Sequence, residues 1–239
     1  MQLKVNRWAA RMFPATAIWT VGILGLLLLW DASDLDMVLA RVGAAGAVFP
    51  LRYNWFVNAV LHDGMRYAAW CVAAWLFVGI WAPTALLSRL TRAARVQWLV
   101  SLLVSVLVIN LLKQASHTSC PWDLAEFGGI GTYVNHWAWG VDDGGPGRCF
   151  PAGHASAAFG FLGGFFVFYP VSRRLAFACL GLSLTVGLTL GIAQQLRGAH
   201  FMSHTLWTAW LCWLCGLLVN SVAQWRWRND TALSAHEVS

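Results

Sequence analysis

The fold turns on residues 149–170, CFPAGHASAAFGFLGGFFVFYP. From Gly153 to Pro170 there is no Asp, Glu, Lys or Arg, and one histidine, His154, stands at the mouth of the run. An apolar stretch of this length reads as a membrane span. An ionisable side chain at the entrance of a span is expensive to place there and is a functional hypothesis by default. Pro151 and Gly153 break the chain just ahead of it, after Arg148 and Cys149.

The rest of the chain fits that reading. Of its 239 residues 59% are apolar and 11% charged, where a soluble domain carries about 25% charged residues. The net charge of +6 is not a nucleic-acid signal, because the basic residues sit in short clusters between apolar runs, as a topology signal requires. Six runs are long enough to span, given the roughly 20 residues that a bilayer helix needs, near 14–31, 67–88, 96–113, 153–170, 175–194 and 203–223. The first follows Lys4, Arg7 and Arg11 with no small-residue cleavage site behind it, and so reads as an uncleaved anchor. The expectation is an all-α fold: a polytopic membrane protein, a six-transmembrane-helix bundle forming a single domain over 1–239. Residues 37–62 mix apolar side chains with Arg41, Arg52 and Asn54, which points to interfacial helices in the first outward loop or to a re-entrant packing element.

Six spans put both termini on one side. That side holds Lys4, Arg7, Arg11, Arg89, Arg92, Arg95, Arg173, Arg174, Arg226 and Arg228, with Asp230 and Glu237 its acids. The other side holds six basic residues and eight acids. This bias makes the termini cytoplasmic. Stretches 32–66, 114–152 and 195–202 then face outward, into a periplasm if the membrane is a bacterial inner membrane.

Functional-looking residues gather on the outward face. Lys113 ends the third run, His154 opens the fourth, and QQLRGAHFMSH (194–204) joins the fifth to the sixth. Singly, a lysine at a helix end snorkels and an interfacial histidine caps a helix. Together, basic groups, a helix start with a close-approach glycine at Gly153 and histidines that titrate near neutrality suit a phosphate.

These elements resemble the type-2 phosphatidic acid phosphatase superfamily of membrane enzymes. Its first signature, Lys, six residues, Arg-Pro, corresponds to KQASHTSCP (113–121), where Lys113 and Pro121 match and Cys120 replaces the arginine. Its second, Pro-Ser-Gly-His, corresponds to PAGH (151–154). Its third, Ser-Arg, five residues, His, three residues, Asp, corresponds to GAHFMSH (198–204) with the residues before it: His200 matches, Gln194 replaces the arginine and His204 the aspartate. The resemblance implies a phosphatase-like core at about 96–223. It also implies His200 as the nucleophile that forms a phosphohistidine, His154 as general acid, and a phosphate held by Lys113 and the Gly153 backbone. Arg148 and Arg197 are the candidates to replace the missing arginines. A second register would make His204 the nucleophile. No metal or other cofactor is implied, and the expected partners are a phosphorylated lipid substrate and membrane lipids, with no nucleic acid. The alternatives are a lipid phosphotransferase and a non-catalytic lipid-phosphate-binding protein.

Cys120 and Cys149 both fall in the outward loop, an oxidising place if periplasmic, and are expected to form a disulfide. A zinc site from these two with His117 and His136 is the alternative, but the spacing fits no common zinc pattern. The loop between the cysteines, 122–148, with Asp123, Glu126, Trp137 and Trp139, reads either as a lid over the headgroup or as a mobile acidic connection.

Overall fold

The computed structural model describes the backbone of residues 2–84, 86–138 and 140–236, and the side chains of residues 15–227, apart from Ala85 and Trp139, and of Asn229. The charges Lys4, Arg7, Arg11, Arg228, Asp230 and Glu237, and Trp139 of the outward loop, lie outside the described side chains. The described chain is helical, with no named strand: α1 (Gln2–Asp31), α2 (Leu35–Gly43), α3 (Met65–Val78), α4 (Arg92–Ala115), α5 (Ser156–Phe159), α6 (Gly163–Phe168), α7 (Arg173–Leu196) and α8 (Met202–His236). A π-helical segment, Phe56–Gly64, leads into α3, and a 3-10 turn, Gly160–Leu162, joins α5 to α6.

Among the described residues, three helical stretches are long and apolar enough to cross a membrane: α4, α7 and Met202–Trp227 of α8. Ala15–Asp31 of α1 joins α2 across a 70° bend, and that pair makes a fourth if it counts as one span. The expected six spans are thus not all met by length. The second run, 67–88, is cut short: α3 stops at Val78, where the turn at Gly79 and then Pro83 end it. In the fourth run, 153–170, the helix covers only Ser156–Phe168, against the roughly 20 residues a full crossing takes.

That short helix is the centre of the bundle. It packs against α4, α7 and α8, and its glycines let them come close. A Cβ at Gly163 would strike the Ser101 side chain of α4, and one at Gly164 would meet Cys179 of α7 and Trp98 of α4. Trp98 donates its indole N–H to the Phe161 carbonyl at 3.2 Å, which satisfies a backbone acceptor at the break between α5 and α6. Phe165 and Phe166 pack tilted around Trp213 of α8 at 5.4 and 4.8 Å.

One end of the bundle is closed by the connections. Asp36 at the start of α2 accepts hydrogen bonds from the Ser203 backbone N–H (3.0 Å) and the Ser203 hydroxyl, and so caps the first turn of α8. The first outward stretch therefore folds onto the helix ends, as α2 and the π-helical segment. The 122–148 loop is also built rather than loose. Asp143 accepts from the backbone and hydroxyl of Ser119, Glu126 pairs with Arg41 of α2 at 2.6 Å, and Trp137 donates to Asp31 at 2.7 Å.

Candidate active site

The site lies where α4 and α7 end and α5 and α8 begin. The turn from α7 to α8 shapes it. Gly198 has φ +75°, a left-handed conformation that glycine adopts without steric cost. The Ala199 N–H reaches the Gln194 carbonyl (2.9 Å) and the Gly198 N–H reaches that of Gln195 (3.0 Å), the pattern of a Schellman stop. Phe49 occupies the place a Gly198 Cβ would take. This stop reverses the chain in five residues, leaves Arg197 as the C-cap of α7 and delivers His200 just ahead of α8.

The PAGH turn is pinned from the other side. The Ala152 N–H donates to the His204 carbonyl at 3.3 Å, and Thr208 of α8 donates to the Ala152 carbonyl at 3.2 Å. The His154 ring centre then lies 5.8 Å from that of His200. Lys113, from the last turn of α4, brings its Nζ within 3.6 Å of where a Gly153 Cβ would stand. The helix after the turn starts at Ser156 and runs four residues before the 3-10 break. The anion affinity expected from a long helix start at this point is thus weaker than the sequence implied, and side-chain cations carry more of it.

Those cations face one another. Arg197 is buried, donates to Gln194 Oε1 and to the Arg52 carbonyl, each at 3.4 Å, and leaves its Nε unbonded. Arg52 and Arg197 flank the Trp122 ring at 4.6 and 5.5 Å. Burial, then the Arg52 charge, lowers the Arg197 pKa. Burial, then His62, Lys113, Arg197 and Arg66, pushes His154 down to about 3. Burial, then Lys113, His154 and His204, holds His200 well below the usual histidine range, with the Cys149 backbone acting in the opposite direction. Both rings are therefore neutral at pH 7, and His200 keeps a lone pair free to attack. An anion among Lys113, Arg197 and the two rings would reverse the sign of the local field and draw a proton onto His154.

The structure thus brings together Lys113, Gly153, His154, Gln194, Arg197 and His200. It does not bring Arg148 to them: that side chain is exposed, and its backbone N–H bonds the Ser116 carbonyl at 2.9 Å. His204 is buried 5.9 Å from His200, ring centre to ring centre, with no hydrogen bond between the two rings. Its other ring neighbours are Phe150, Phe201 and His136. His200, not His204, is the ring opposite His154.

Cys120 and Cys149 are joined in a disulfide with Cα atoms 5.2 Å apart. Cys149 Sγ lies 3.4 Å from His200 Nδ1, so the bond also walls the His200 ring. The two sulfurs and His200 are close enough to suggest a metal site. Sulfurs bonded to each other are not thiolates, however, and the thiolate is the metal ligand. The zinc set with His117 and His136 fails for the same reason.

His62 had no assigned role in the sequence. Its ring packs tilted against His154 at 4.0 Å and bonds Asp63 at 2.9 Å, and Arg66 lies 3.5 Å from the same carboxylate. The adjacent His-Asp pair was the available signal.

All three signature segments fall inside residues 94–228, which match the family model of the PAP2 superfamily. The chain belongs to the PAP2 superfamily. PAP2 is a phosphatase family, and its apolar helices and this membership make the chain a membrane protein. No curated protein and no solved structure matches the chain. Cys120, which the resemblance sets against the arginine of the first signature, is in the disulfide, and His204, set against the aspartate of the third, carries no carboxylate.

Proposed function

We propose that the protein is an integral membrane lipid phosphatase that hydrolyses a phosphate monoester or pyrophosphate of a lipid through a phosphohistidine. The observation that carries this reading is the meeting of Lys113, His154 and His200 at one end of the bundle, within the family match.

In this mechanism a neutral His200 ring nitrogen attacks phosphorus. The P–N bond forms as the P–O bond to the lipid breaks, and His154 gives its proton to the leaving oxygen. Lys113, Arg197 and the backbone at Gly153 hold the phosphoryl oxygens, where preorganised positive charge favours the transition state. Water then attacks the phosphohistidine, His154 takes its proton, and phosphate leaves. The chemistry uses no metal. Candidate substrates are phosphatidic acid, phosphatidylglycerol phosphate, undecaprenyl pyrophosphate and a lipid A phosphate.

The charge bias supports a bacterial inner-membrane protein with cytoplasmic termini and a periplasmic site. Arg89, Arg92, Arg95, Arg173 and Arg174 lie at the starts of α4 and α7, the ends opposite the site.

The test is phosphate release by purified protein over a panel of those lipids, with His154→Ala, His200→Ala and EDTA run alongside. Release abolished by both substitutions and spared by EDTA supports the reading. The replacement of the family aspartate by His204 favours a second one, a lipid phosphotransferase or a non-catalytic binder. Lipid binding without release from any lipid would select it.

A further inference from the structure

Five histidine rings form one line through this end of the protein. The centres of His62 and His154 are 4.0 Å apart, His154 and His200 5.8 Å, His200 and His204 5.9 Å, and His204 and His136 5.6 Å. A carboxylate stands at each end: Asp63 on His62 at 2.9 Å, and Asp31 at 3.4 Å from His136 Nε2. The Asp63 end is half exposed, whereas the side chains of Asp31 and His136 are 5% and 3% exposed.

The buried half has no part in the reaction just described, yet it is held with care. Asp31 Oδ2 accepts indole N–H groups from Trp137 (2.7 Å) and Trp207 (2.8 Å). Asn135 donates to the Asp31 carbonyl at 3.1 Å, and Phe150 lies flat on His136 at 4.1 Å. Three atoms along this half make no hydrogen bond: Asp31 Oδ1, His136 Nε2 and His204 Nδ1. Orphaned buried polar atoms cost free energy, and here they fall in a row. Small ring rotations, or a bridging water, would join them, and a small cleft lined by Ser116, His117, Thr118, His136 and Phe150 borders the His136 ring.

The reacting side lacks what this row could supply. A histidine that bonds phosphorus gains positive charge on its ring. His200 faces Lys113, His154 and His204, and no carboxylate contacts it among the described residues. The other buried acids near this end are already committed: Asp36 to Ser203 and Trp30, and Asp143 to Ser119. Asp31 has an oxygen to spare.

We propose that Asp31 and His136 are positioning residues for His200, acting through His204: the buried row Asp31–His136–His204–His200 fixes the ring's orientation and supplies the negative charge that its phosphorylation needs. This rests on the phosphatase reading. Loss of the pair should lower kcat and leave KM in place, because neither residue touches substrate.

The test uses full-length protein in detergent, with short-chain phosphatidic acid as probe. The variants are Asp31→Asn, His136→Phe, His204→Asp and the double variant Asp31→Asn/His204→Asp, each checked by thermal melting. His204→Asp puts a carboxylate in the first turn of α8, beside His200, and makes the distant one redundant. Asp31→Asn and His136→Phe are expected to lower kcat about 10- to 100-fold with KM within about twofold, while Asp31→Asn costs nothing further in the His204→Asp background. An equal loss in both backgrounds means a structural role and overturns the proposal. Side-chain 15N spectra of the histidines give a readout independent of turnover: Asp31→Asn should move the His204 and His200 signals. If the wild type releases no phosphate, the phosphatase reading fails on its own, and unmoved His200 signals would still refute the row.

Discussion

Acid should destabilise this protein earlier than its carboxylates alone would require. His154 and His200 are buried as neutral rings, with pKa values depressed in the folded state by burial and by the cations around them. The unfolded chain binds their protons as soon as pH falls below about 6.5. Their contribution to stability is therefore intact above that value and is lost as pH falls towards the folded pKa values. Between pH 8 and 5 the loss does not depend on how far the folded values are depressed, provided they lie well below 5. Each ring then costs RT ln(1 + 10^1.5), about 2 kcal/mol at pH 5, so the pair costs about 4 kcal/mol. The carboxylates Asp63 and Glu126 have lowered pKa values and titrate below this window. The assay is thermal unfolding in detergent followed by intrinsic tryptophan fluorescence, at pH 8 and pH 5, for the wild type, His154→Gln and His200→Gln. Each substitution should remove about 2 kcal/mol of the acid-induced drop, and inorganic phosphate at pH 5 should restore part of it by pairing with the protonated rings. A wild-type melting temperature that is flat from pH 8 to 5, or variants with the wild-type slope, would refute the reasoning.

Two further outcomes are expected. Cys120→Ser or a strong reductant should open the 121–148 loop: closing a loop between cysteines 29 residues apart is worth about 3.5 kcal/mol in the chain-entropy model. Hydrogen exchange in that loop should speed up and phosphate release fall, because Cys149 packs on His200; unchanged exchange would refute it. Arg197→Ala should lower kcat/KM by about 100-fold or more while Arg148→Ala stays within about twofold; the reverse order, read by lipid phosphate hydrolysis, would transfer the phosphate contact to Arg148.

The sequence displayed its local signals and hid its long-range ones. The all-helical character, α4, α7 and α8 follow from continuous apolar runs, which burial in lipid or protein requires. The fourth run misled on length because an enclosed helix and a spanning helix are equally apolar, and only the glycines at 160, 163 and 164 hinted that neighbouring helices press against it. Lys113, His154 and His200 were legible because each sits at a motif. Arg197 was legible as a candidate, but its rivalry with Arg148 depended on which way the Schellman stop turns the chain. Asp31 and His136 were out of reach, since nothing in either stretch points to the other and only the closed end of the bundle brings them together.

The enclosed α5–α6 segment also has a consequence for biosynthesis. It leaves the ribosome before α7 and α8 exist, yet Trp213 of α8 and Cys179 of α7 pack directly against it. Thirteen residues, with glycines where side chains would normally shield the backbone, make a poor resident of bare lipid. His154 can reach its working position only after α8 has been inserted. A nascent chain that stalls before α8 carries two of the three complete signatures and no assembled pocket, so the reactive centre comes into being only once α8 is in place.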